Sequence, residues 1–121
     1  MLAGDQMTIQ EFQTLIERIY FEKDSSRGLE GSFMWLVEEV GELSRALRRG
    51  TPEQIRGEFA DCAAWLFTLA SIAGVDMTQA MTEKYAGGCP KCGSVPSIAD
   101  VEGAPGHTYK TSRNACGSED Q

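Results

Sequence analysis

The chain has 121 residues, 41% hydrophobic and 24% charged, which is the size and make-up of one globular domain rather than of a disordered chain. Eighteen acidic against 11 basic residues give a net charge of −7 and argue against binding to a nucleic acid polymer, whose phosphates call for clustered Lys and Arg. The longest nearly apolar run, 62–75, is too short to span a bilayer, and Asp5 and Gln6 stand where a secretory signal would carry bases, so a cytoplasmic protein without a membrane partner is expected.

Thr8-Ile9-Gln10-Glu11 has the capping-box pattern and opens a helix expected to reach about Phe21. A second helix is expected from about Gly31 to Arg49, stopped by Gly50. Thr51-Pro52-Glu53-Gln54 opens a third, with Pro52 at the first helical position, where its missing N–H costs nothing, and Gly74 at its far end. Asp76-Met77-Thr78-Gln79 opens a short last one. No stretch alternates as a strand does, so the predicted fold is all-α, a bundle of about four helices. Residues 87–121 hold no Leu, Phe, Met or Trp, yet carry 6 of the 13 Gly and 3 of the 4 Pro. The division expected is a folded body over 1–86, a CxxC-containing hinge over 87–96 and a flexible tail over 97–121, too poor in apolar surface to offset its ordering entropy.

On the second helix, Phe33, Leu36, Val37, Val40, Leu43 and Leu47 share one stripe, the predicted core face, and Glu38, Glu39 and Glu42 fall opposite, with Trp35 among them. The third helix sets Glu58, Asp61 and Trp65 on one side, while Phe59, Ala60, Ala63, Ala64, Leu66, Phe67, Leu69 and Ile72 point all round. A helix that is apolar all round is surrounded by protein, and a body of 86 residues can hardly surround it alone. A homo-oligomer with this helix near its interface is expected.

The acids read Glu38-Glu39-x-x-Glu42, then 15 residues, then Glu58-x-x-Asp61. Acids three or four apart on a helix are neighbours, and two antiparallel helices can turn both clusters onto one site. Carboxylates on a polar helix face are usually only solvated. Asp61, however, lies in the most apolar helix between Ala60 and Cys62, with no Lys or Arg following in that helix, and an unpaired charge there is costly. A cation is the simplest partner, and oxygen donors suit Mg²⁺, Mn²⁺ or Ca²⁺. A di-iron site needs Glu-x-x-His pairs, whereas His107 is the one histidine.

Trp35 to Leu43 (WLVEEVGEL), followed by Glu58-Phe59-Ala60-Asp61, resembles the MazG family of nucleoside triphosphate pyrophosphohydrolases, and Lys23 to Gly28 and Lys84-Tyr85 extend the likeness over about residues 8–86. The resemblance implies an all-α fold assembling as dimers or dimers of dimers. It implies Mg²⁺-dependent hydrolysis (Mn²⁺ as a substitute) of an NTP or dNTP to the monophosphate and pyrophosphate, a nucleotide-pool housecleaning activity. By position the metal ligands are Glu39, Glu42, Glu58 and Asp61, and Glu38 and Glu42 are the acids at the chemical step, Glu38 orienting or deprotonating the attacking water. An acidic cradle needs positive groups to finish a triphosphate site; Lys23, Arg27 and Lys84 are the candidates, against the plain reading of cations near helix ends. Trp35 is the candidate for stacking on the base, with Phe21 a further one, whereas Trp65 reads rather as packing. The reading from another class is a non-catalytic helical oligomer acting as a regulatory or partner-binding module.

Cys89-Pro90-Lys91-Cys92-Gly93 is one half of a zinc knuckle, two thiolates where a structural zinc wants four ligands. His107 and Cys116 would complete the count only at irregular spacing, and Pro96 is followed by Ser97-Ile98-Ala99 rather than by further cysteines, so zinc at Cys89 and Cys92 is the weaker expectation. A redox or zinc-sensing protein built on this pair is a third and weaker reading. Cys62 reads as a small apolar filler of the third helix.

Overall fold

The computed structural model describes residues 6–98. Both long helices start at the predicted capping boxes. Glu11 N–H donates to Thr8 Oγ1 at 3.1 Å and Thr8 N–H to Glu11 Oε1 at 2.9 Å, opening α1, Ile9–Arg49. The same exchange between Thr51 and Gln54, at 3.2 and 2.9 Å, opens α2, Pro52–Ile72. At the far end of α2, Gly74 adopts a φ of 78°, which lets Val75 N–H reach the Ala70 carbonyl at 2.7 Å and Gly74 N–H the Ser71 carbonyl at 3.1 Å, a Schellman turn. The short α3, Met77–Tyr85, follows. Among the described residues there is no strand, and the fold is all-α as expected.

The segment expected to link the first two helices is itself helical. α1 continues through it with a single break at Gly28 (φ 79°, ψ 179°), so the described residues form four helical segments, two of them within α1. Nothing from Glu22 to Arg27 stops a helix: there is no Pro or Gly, and the Ser26 hydroxyl donates back to the Lys23 carbonyl at 3.1 Å. The Gly28 conformation is one that essentially only glycine adopts, and it bends the chain within a single residue.

α2 packs against both segments of α1. Phe12 meets Phe67 edge-on, centroids 5.2 Å apart. Beyond the break, the face of α1 turned inward carries Ser32 and Ala46, both buried, with Leu36, Glu39 and Leu43 half-buried between them. This corrects the predicted core stripe. Phe33, Val37, Val40 and Leu47 are 50–56% exposed, and only Leu36 and Leu43 of that stripe turn inward. The reason is size: small residues allow close approach to α2, and one partner helix covers only one side of α1. Phe59 and Leu66 of α2 are likewise exposed.

Gln13, buried, ties α1 to the end of α2 and the start of α3. Its Nε2 donates to Ser71 Oγ at 3.0 Å and to the Val75 carbonyl at 2.9 Å, and its Oε1 accepts from Met77 N–H at 2.9 Å. Replacement by Ala strands these partners, so Gln13→Ala is expected to lower the unfolding free energy in urea by about 2–4 kcal/mol. A midpoint unchanged from wild type would show the network to be dispensable.

The described residues divide into two compact units, one ending at Thr78 and the other beginning at Gln79. No single helix among them is long and apolar enough to cross a membrane. His107, Cys116 and the predicted tail beyond residue 98 lie outside the described residues.

Candidate active site

The first unit brings together carboxylates from two helices. One oxygen each from Glu39 of α1 and Glu58 and Asp61 of α2 lie within 4.8 Å of one another. Glu58 and Asp61 stand three apart, one turn of α2, and Glu39 faces them across the α1–α2 contact. One oxygen of Glu39 and one of Glu58 are buried with no hydrogen-bond partner. Burial first, then the charges of Glu42, Asp61 and Glu58, push the Glu39 carboxyl above its ordinary value of 4.5. Glu42 is therefore within electrostatic reach of the cluster, and it is half-buried. Glu38 is exposed and does not line the cleft beside the cluster.

That cleft, of about 310 Å³, is lined by Tyr20, Lys23, Arg27, Glu39, Asp61, Ala64, Trp65 and Thr68. In an unbroken helix Arg27 would stand about 18 Å along the axis from Glu39, at 1.5 Å per residue. Both line one cleft because the chain bends at Gly28. The Arg27 guanidinium lies 5.0 Å from the Trp65 ring centroid. Trp65 also stacks on Trp35, centroids 5.9 Å apart and planes 10° apart. Trp65 thus packs, as expected, but packs on Trp35 as part of the site wall, while Trp35 remains 47% exposed.

Of the predicted substrate residues, Lys23 and Arg27 line the cleft and Trp35 reaches it through Trp65. Lys84 is in the last turn of α3, in the second unit. Phe21 lines a separate hollow with Ile16, Ser25 and Ile72. Tyr20 and Thr68 were not legible as site residues, although each had a signal: Tyr20 precedes Lys23 and Arg27 by three and seven residues, and Thr68 follows Asp61 and Trp65 by seven and three, the spacings of one helix face.

Three oxygen donors, two with an orphaned buried oxygen, fit a hard divalent cation. Cys62 does not compete as a ligand: burial and then the charge of Glu39 raise its thiol further into the protonated range. Because Glu39 is raised, the folded chain binds its proton more tightly than the unfolded chain does. Its contribution to stability is therefore most favourable below pH 4.5 and declines as pH rises from there through the raised value. A divalent cation takes the proton's place, so Mg²⁺ is expected to raise the melting temperature more at about pH 8 than at about pH 5. Equal gains at both would mean that the ion does not engage Glu39.

Comparison with known proteins agrees with this geometry. No individual curated protein matches the chain. The family model for the MazG nucleotide pyrophosphohydrolase domain matches residues 27–93, from the cation beside the Gly28 break through the acids of α1 and α2. With more than half of its length matched, the chain belongs to the MazG nucleotide pyrophosphohydrolase family.

Proposed function

We propose that the chain hydrolyses a nucleoside or deoxynucleoside triphosphate between its α- and β-phosphates, giving the monophosphate and pyrophosphate, with Mg²⁺ as its metal and Mn²⁺ as a substitute. The observation that carries this reading is the meeting of Glu39, Glu58 and Asp61 in one cluster beside a cleft that also holds Lys23 and Arg27. A bound divalent cation supplies charge neutralisation for the triphosphate and lowers the pKa of coordinated water. Glu39, Glu58 and Asp61 would hold it, and Glu42, whose charge acts on Glu39, would complete the ligand set. Lys23 and Arg27 offset phosphate charge that the cation leaves over. The exposed face of the Trp35–Trp65 stack offers an apolar platform to the base. Glu38, next to Glu39 in sequence though outside the cleft lining, is the acid left to orient or deprotonate the attacking water.

The test is pyrophosphate release from a panel of NTPs and dNTPs with and without Mg²⁺. Release that needs the ion and stops at the monophosphate is expected; a folded chain that releases none from any nucleotide overturns the reading in favour of a non-catalytic module.

The assembly belongs to the same proposal. Phe33, Val37, Val40 and Leu47 on α1, with Phe59 and Leu66 on α2, leave an apolar surface that a second copy covers, giving a homodimer or a pair of dimers. Light scattering is expected to find an oligomer for the wild type and a monomer for Val37→Asp, since an unpaired charge in such an interface costs several kcal/mol, roughly the worth of a moderate dimer contact. An unchanged mass for Val37→Asp would place the interface elsewhere.

A further inference from the structure

Residues 88–98 lack every large apolar side chain except Val95 and Ile98, yet they are ordered around two sulfurs. Gly93 N–H donates to the Cys89 carbonyl at 2.6 Å, closing a turn over Cys89–Gly93, and Cys89 N–H donates to the Ser94 carbonyl at 3.0 Å. A turn closed this way leaves positions three apart on one side, within the span of a disulfide. The Cys89 side chain is near enough to act on Cys92, whose thiol it raises against the groups that lower it. Ser97 Oγ lies 3.5 Å from Cys92 Sγ, with either atom able to donate. The backbone N–H groups of Ile98 and Ser94 also serve the Cys92 sulfur. Neutral thiols are poor acceptors, so donors converging on one sulfur suit a thiolate. The Ser97 hydroxyl first, then the Ile98 N–H, hold the Cys92 thiol below its ordinary value. Both cysteines are only half-buried, so a small reagent can reach them.

We propose that Cys89 and Cys92 form a thiol–disulfide exchange site, which takes the disulfide of a small thiol as its substrate and closes to an intramolecular Cys89–Cys92 disulfide. The reactive form is the one in which one of the two sulfurs is a thiolate and the other keeps its proton. The thiolate attacks one sulfur of the small disulfide; a protein–small-molecule S–S bond forms, the original S–S bond breaks, and a small thiolate leaves and is protonated by solvent. The second cysteine then attacks the mixed disulfide at the protein sulfur. The Cys89–Cys92 bond forms, and the second small thiol departs with the remaining proton. Two protein thiols are oxidised and one small disulfide is reduced to two thiols. Exchange needs only the two cysteines and the small disulfide.

The test treats the reduced full chain with glutathione disulfide, alkylates the remaining thiols and cleaves after Lys91, which separates Cys89 from Cys92. The wild type is expected to give the peptide ending at Lys91 joined by a disulfide to the one beginning at Cys92. This link should form at least about tenfold faster than any adduct at Cys62, which stands in α2 without a cysteine three residues away to close on. Cys89→Ser and Cys92→Ser should each stop at a glutathione adduct on the remaining cysteine. Lasting adducts on the wild type, or two freely alkylated cysteines after exposure, overturn the proposal. So does reaction only after a chelator has stripped zinc from the pair, which would make it a metal site instead.

Discussion

Asp61→Asn and Glu42→Gln are each expected to reduce Mg²⁺-dependent pyrophosphate release by at least about a thousandfold, which corresponds to about 4 kcal/mol of lost transition-state stabilisation. Both changes keep the size of the side chain and remove one negative charge from a cluster that repels itself. Asp61 is exposed, so its replacement leaves no cavity and strands no buried partner. Metal-free stability should therefore hold or rise slightly, because the charges that push up Glu39 are reduced. The gain in melting temperature from Mg²⁺ should shrink in both variants. This combination separates a ligand role from a structural one: a structural acid would cost stability without the ion. Wild-type release from either variant would take that residue out of the metal site. Glu38→Gln divides the roles further, since an acid that orients water lowers kcat while leaving the stabilisation by Mg²⁺ intact.

Local signals carried much of the fold. The Thr8–Glu11 and Thr51–Gln54 boxes mark the starts of α1 and α2 because capping is decided within four residues. The convergence of Glu39 with Glu58 and Asp61 also follows from spacing, once two antiparallel helices are joined by a turn as short as Gly50-Thr51. What spacing does not contain is which side of an apolar helix its own chain covers. Phe33, Val37, Val40 and Leu47 make the more hydrophobic stripe, yet α2 lies against the side with Ser32 and Ala46, where it can approach closely. A buried stripe and an assembly stripe have the same periodicity. Nor does composition reveal that Glu22 to Arg27 stays helical up to Gly28, since six ordinary residues suit a helix or a connection equally well. Tyr20 was missed for the same reason, because its place in the cleft depends on the direction of that bend, whereas Thr68 shares the Asp61–Trp65 face of α2 and was within reach of spacing.

Gly28→Ala tests the bend itself. No atom lies within 4 Å of where its Cβ would stand, so crowding does not matter and the backbone conformation does. At φ 79° and ψ 179° an alanine is strained by about 1–3 kcal/mol, while a straight helix through residue 28 favours alanine over glycine by about 1 kcal/mol. Both terms push the two segments of α1 toward a continuous rod. In that rod Lys23 and Arg27 move away from Glu39 and Asp61, and Arg27 leaves Trp65, but the contact between Glu39 and α2 needs no bend. The acids should therefore still hold their cation while the phosphate-facing cations withdraw. The expected result is a KM for the triphosphate raised at least about tenfold, the worth of one or two charge-assisted contacts, with the Mg²⁺-induced rise in melting temperature preserved. A variant with wild-type KM would show that the cations beside the break do not serve the substrate. Loss of the Mg²⁺ response together with activity would show instead that the bend supports the carboxylate cluster.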